Sequence, residues 1–115
     1  MIVRLYSGPD GESHFEELAP AFARNETGER SPLQATEGIS FGRAQPGSFM
    51  DWHPAPRKQY VITLSGQVEI GIGDGTVRRF GPGDVMLADD LTGRGHTTRV
   101  IGSEARITLT VPLRE

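Results

Sequence analysis

Three histidines and no cysteine set the range of chemistry open to this chain. Imidazoles and carboxylates must do any acid–base or metal work, because thiolate zinc sites, iron–sulfur clusters, disulfides and a cysteine nucleophile are excluded. His53 stands two residues after Asp51. On an extended strand that spacing sends both side chains to one face with Cα atoms about 7 Å apart. A neighbouring strand through Gln59, Val61 and Thr63 would bring a neutral amide and a hydroxyl to the same pocket, and His96 must arrive from 43 residues further along. Two imidazoles with one carboxylate match the facial triad of non-haem iron and related sites, which leaves positions open for substrate. Asp51 is the nearby carboxylate that could complete such a triad. With His53, Gln59 and His96 alone all three ligands are neutral and hold a divalent ion (Fe, Mn, Ni or Zn) less firmly. The other reading is a metal-free pocket in which Gln59 orients a polar ligand and His53 or His96 acts as acid or base.

Other residues invite chemistry and have plainer accounts. Asp89-Asp90 could be a carboxylate pair for acid–base work, but adjacent strand residues face opposite ways. A turn in which one Asp caps backbone amides or meets Arg94 explains the pair more simply. Asp51 itself could be a loop residue or a partner of Arg57. His14 reads as a surface or dimer-contact residue. Phe49, Met50 and Trp52 could line a ligand cavity, but beside a barrel strand they read more simply as core. Tyr60 alternates with Gln59 and so falls on the face away from the pocket. Gly93-Arg94-Gly95 lacks the Lys-Ser/Thr and the strand-to-helix context of a phosphate loop, which sets nucleotide binding aside.

The elements that must position these residues are short strands. Ile2, Val3, Leu5 and Tyr6 precede a cluster of turn formers from Ser7 to Gly11, as a first strand would. Ser13 and Glu16 have capping-box spacing, yet Pro20 would interrupt a helix over His14 to Arg24, so irregular or short strand structure is expected there. Arg24 to Gly38, charged and carrying Gly28 and Pro32, reads as an exposed connection. From Gly38 the pattern is consistently β, with runs near 39–45, 49–53, 58–64, 67–72, 76–80, 84–88, 96–101 and 105–111. Val68 to Ile72 alternates with period two, Gly73-Asp74-Gly75 accepts positive φ, and Val77 to Phe80 returns as the partner of a hairpin. Such spacing implies a sandwich or barrel, and pattern alone does not choose between them.

The spacing from Gly47 to His53, Ala55, Gln59 and Gly66 resembles the first motif of the cupin family, in which a Gly, two His, a Glu and a second Gly recur at these intervals. Ala55 stands where the second His would be and Gln59 where the Glu would be. Gly83-Asp84-Val85-Met86-Leu87 and His96 resemble the second motif, with Ala88-Asp89-Asp90 in the place of the usual Pro and Arg99 in that of a frequent Asn. The resemblance is to small single-domain bacterial cupins and implies an all-β double-stranded β-helix, the RmlC-like jelly-roll barrel. It implies one cupin domain over 1–115, with an amino-terminal strand and connecting segment over 1–37 and a barrel core over 38–111. It further implies a homodimer paired through residues around Ile2 to Tyr6, and a ligand site at the barrel mouth. Cupins include oxygenases, isomerases, epimerases, storage proteins and sensors, so the resemblance fixes no reaction.

Composition narrows the partners. A chain of 115 residues holds one small domain, and 23 Gly or Pro among them demand frequent turns and short elements. The 12 basic residues are dispersed among 15 acidic ones, which disfavours a nucleic-acid surface. Val85 to Ala88 is the longest apolar run, far short of the ~20 residues of a bilayer span. The expectation is a soluble cytoplasmic protein that binds, and in one version turns over, a small polar organic molecule around Asp51, His53, Gln59, Thr63 and His96. A non-catalytic sensor or structural dimer with an eroded metal site is the alternative, and a metal-dependent dioxygenase-like or isomerase-like enzyme is another.

Overall fold

Residues 1–114 are described by a computed structural model in which the strands follow the β-periodic runs of the sequence closely. In chain order they are β1 (Ile2–Ser7), β2 (Ser13–Glu17), β3 (Ala23–Asn25), β4 (Gly28–Arg30), β5 (Ser40–Ala44), β6 (Phe49–His53), β7 (Gln59–Ser65), β8 (Gln67–Gly71), β9 (Val77–Phe80), β10 (Val85–Asp89), β11 (His96–Ile101) and β12 (Arg106–Pro112). One sheet runs β2-β1-β10-β7-β12-β5 and a second runs β6-β11-β8-β9, while β3 and β4 form a separate hairpin. From β5 onward the chain changes sheet at every step except the β8–β9 hairpin, so the two layers are wound together rather than stacked from separate halves. The expected hairpin is present, with Val68 opposite Phe80 and Gly71 opposite Val77.

Alternation explains which residues face inward. Val3 and Leu5 of β1, Met86 and Ala88 of β10, and Val68 and Ile70 of β8 share a parity on their strands, and all are buried with Ile72, Phe80 and Ala55 in one cluster. Each fully buried aliphatic or aromatic side chain contributes roughly 1.5–3 kcal/mol. This cluster fills the part of the interior under β1, β8 and β10, and a mostly apolar cavity with a few polar groups lies under β6, β7, β11 and β12.

The amino-terminal region follows the sequence expectation over His14 to Arg24, where no helix forms and short strands do. Of these, β2 pairs antiparallel with β1 from Ser7–Ser13 to Val3–Glu17. The presumed connection from Arg24 holds the small exposed β3–β4 hairpin. β1 lies between β2 and β10, parallel to the latter, so both its hydrogen-bonding edges are filled within the chain. The free edges of the large sheet are β2 and β5, and those of the second sheet are β6 and β9. No helix among the described residues is long and apolar enough to cross a membrane.

Candidate functional site

His53 ends β6 and His96 begins β11, and the register sets the two residues directly opposite each other. Their rings lie 4.5 Å apart, centroid to centroid, with 55° between the planes. Each ring is oriented through its Nδ1 atom. His53 Nδ1 lies 2.7 Å from the backbone carbonyl of Asp51, which can only accept, so the ring donates there and leaves Nε2 with the lone pair. His96 Nδ1 lies 2.6 Å from Oδ2 of Asp90, with the same consequence for its Nε2.

Asp90 is fully buried. Besides His96 it receives a hydrogen bond from Ser13 Oγ at 2.7 Å and one from the Ala55 backbone N–H at 3.3 Å. A buried carboxylate with three donors around it is satisfied, and removing any donor would leave part of its charge uncompensated. The group extends from β2 through the end of β10 to β11, so the amino-terminal strands reach the site.

The cavity beside this pair has a volume of about 160 Å³ and is lined by His53, His96, Gln59, Met50, Thr98 and Arg106 over an apolar floor that includes Val61 and Ile70. Larger grooves of about 350 and 460 Å³ lie on the outer side of the big sheet around Pro32 and Tyr60, but no histidine lines them. Tyr60 is on that outer side, as its alternation with Gln59 requires. Thr63 is fully buried and its hydroxyl accepts two N–H groups of Arg106, at 3.3 and 3.2 Å. Thr63 therefore serves the cavity by holding a residue of its wall.

Asp51 is not brought to the cavity. Two residues of β6, Asp51 and Trp52, face the single Thr97 of β11 between the His53–His96 and Met50–Thr98 pairs. That bulge breaks the alternation, so Met50 and His53, three apart, both line the cavity and the Asp51 carboxylate turns to its neighbour's N–H at 2.9 Å. The same edge position leaves Phe49, Met50 and Trp52 exposed rather than core, at 47%, 55% and 39%. Phe49 lies under the Arg99 guanidinium and Trp52 under that of Arg94. Asp89 pairs with Arg4 at 2.9 Å rather than with Arg94, while His14 pairs with Asp10 at 3.0 Å on the surface.

Two residues of the site escape the sequence reading. Asp90 continues the inward parity of Met86 and Ala88, a signal that was present and that the turn reading of Asp89-Asp90 overrode. Arg106 has no such signal, since its place in the cavity depends on the register of β12 against β7, which shifts between Ile107 and Thr108.

No known family model matches the chain, and no curated protein matches it. Among solved structures it is similar to a conserved protein of unknown function from Streptococcus pyogenes, with 25% identity over 74% of this chain and 69% of that one and a TM-score of 0.53. It is also similar to an uncharacterized conserved protein from Klebsiella pneumoniae with a double-stranded β-helix domain, with 24% identity, coverage of 71% and 76%, and a TM-score of 0.52. This chain has the double-stranded β-helix fold.

In this barrel the donor set does not fit a divalent cation. Ala55 offers no ligand, Gln59 is neutral, and the Asp90 carboxylate is bound to His96 Nδ1 and does not line the cavity. Arg106 adds a fixed positive charge to the same wall. Among the described residues no group of three or more His, Asp or Glu is placed to hold a metal. Millimolar Mn²⁺, Ni²⁺ or Zn²⁺ is therefore expected to leave the thermal midpoint within about 1 °C, whereas occupancy at 100 times Kd would add about 2.7 kcal/mol. A rise of several degrees that disappears in His96→Ala would contradict this.

Proposed function

We propose that the cavity binds a small polar organic molecule and moves a proton on it, with His96 as the base. The observation that carries this reading is the buried Asp90–His96 pair, whose free Nε2 belongs to a residue lining a half-open pocket. Asp90 holds the ring in one tautomer and stabilises the imidazolium that forms when Nε2 takes a proton. His96 then returns that proton from Nε2 to a neighbouring atom of the ligand, while the Nε2 of His53, fixed by the Asp51 carbonyl, accepts a hydrogen bond beside it. Such a pair suits isomerase-like chemistry on a carbon acid. The C–H bond next to a carbonyl breaks, its electrons move to the carbonyl oxygen, and a donor such as the Gln59 amide faces the charge that develops there.

Deuterium incorporation into small carbonyl compounds in D₂O, followed by NMR, tests the proposal. His96→Gln is expected to slow exchange by roughly 10²–10⁴-fold, the usual share of a positioned acid–base group. Exchange at the wild-type rate in that variant would remove His96 from the role. A second reading, a barrel that binds without turnover, is favoured by the small Ala55 at the centre of the first motif. Compounds that raise the thermal midpoint and remain unexchanged would support it.

A further inference from the structure

Arg106 is a largely buried guanidinium with no carboxylate beside it. It lines the cavity, and its hydrogen bonds are the two that Nε and Nη2 give to one oxygen, that of Thr63. No ion pair among the described residues includes Arg106. Burial alone pushes its pKa down to about 10, with no anion acting in the opposite direction. It is still charged at neutral pH. Of the five guanidinium N–H groups three remain unused, including both on Nη1. Among the described residues no carboxylate lines the cavity, and Asp90, behind His96, is already engaged by Ser13, Ala55 and His96.

A buried cation without a counter-ion is destabilising unless something supplies the missing charge. We propose that the cavity takes a short-chain carboxylate, whose carboxyl group pairs with the free edge of Arg106 while an adjacent carbon faces His96. This rests on the proton-transfer reading for the role of His96 and on the cavity geometry for the role of Arg106. A planar guanidinium edge and a carboxylate match in a two-bonded fork, which fixes orientation as well as affinity. Size agrees with the charge. A cavity of about 150 Å³ accommodates benzene, so about 160 Å³ admits a ligand of roughly six or seven non-hydrogen atoms, the size of a C3 or C4 acid.

The test uses the full chain and two probes, 2-oxobutyrate and its amide, with binding read by calorimetry and deuterium exchange at C3 read by NMR. The wild type is expected to bind the acid and to favour it over the amide by at least tenfold. Arg106→Met is expected to lose roughly 10–100-fold in affinity for the acid, the range of a charge-assisted hydrogen bond of about 1.5–3 kcal/mol. It should keep its weak affinity for the amide. Its thermal midpoint should hold or rise, because an unpaired buried charge is removed, and Arg106→Lys serves as the second variant if the Met variant fails to fold. His96→Gln should bind the acid like the wild type and lose exchange. Acid bound tightly but not exchanged by the wild type would sink the proton-transfer reading and leave the carboxylate site standing. Equal binding of acid and amide, or unchanged affinity in both Arg106 variants, overturns the carboxylate site.

Discussion

Asp90→Ala is expected to lower the unfolding free energy by about 3–5 kcal/mol, a large part of the 5–15 kcal/mol that holds a small domain folded. The size follows from what the carboxylate does. Truncation leaves the Ser13 hydroxyl, the His96 Nδ1–H and one of the Ala55 N–H contacts facing an empty, buried space. The Ala55 N–H retains the backbone carbonyl of residue 90 at 3.0 Å, so the loss falls mainly on the other two donors. Ser13→Ala removes one of those donors alone and should lose only about 1 kcal/mol. Asp90→Asn keeps the shape and half the acceptor capacity, and should sit between them in stability. It should also lose proton-transfer rate, because a neutral amide stabilises the imidazolium poorly. Urea melts of the three variants give the comparison. A loss below about 1 kcal/mol for Asp90→Ala would mean that the buried network is not formed in solution.

Gly95→Ala is the second large effect. Gly95 has φ of 81°, and a Cβ there would collide with the His53 carbonyl carbon and oxygen and with Pro54 N. These are backbone atoms, which cannot swing aside as a long side chain does. Either the 91–95 loop or the end of β6 must move, and both carry the histidine pair. A loss of more than about 3 kcal/mol is expected, together with displaced NMR signals of both rings. Gly75→Ala separates the two causes, since Gly75 also has positive φ, at 90°, but open space around the missing Cβ. It should lose only the conformational penalty of about 1–2 kcal/mol. Equal losses at the two positions would show that close packing against β6 adds nothing.

The strands after Gly38 were legible because each carries its own turn chemistry and a period-two pattern, both of which are local. His53 and His96 were legible as a pair through the spacing that resembles the cupin motifs. What could not be read depends on register. The bulge at Asp51 and Trp52 has no sequence mark, and without it Asp51 follows His53 into the pocket while Met50 does not. Arg106 enters the wall through a second irregularity, opposite Leu64. Ser13 was weighed as a helix cap, whereas its hydroxyl completes a site whose other members lie more than 40 residues away. Asp90 is a different case, since it does accept from a backbone amide as the turn reading has it, that of Ala55, yet it does so from inside the barrel. The three donors that satisfy it come from three separate segments.

The parallel pairing of β1 with β10 has a consequence for biosynthesis. Ile2 leaves the ribosome well before its partner Val85, from which it is separated by most of the barrel strands. At about 5–20 residues per second the first strand waits on the order of ten seconds for that partner, with only the β1–β2 hairpin to occupy it. An isolated two-stranded hairpin is marginal in water, so Val3 and Leu5 stay exposed throughout the interval. Synthesis rate and chaperone supply, rather than final stability, are then the levers that decide how much of this protein is recovered in soluble form.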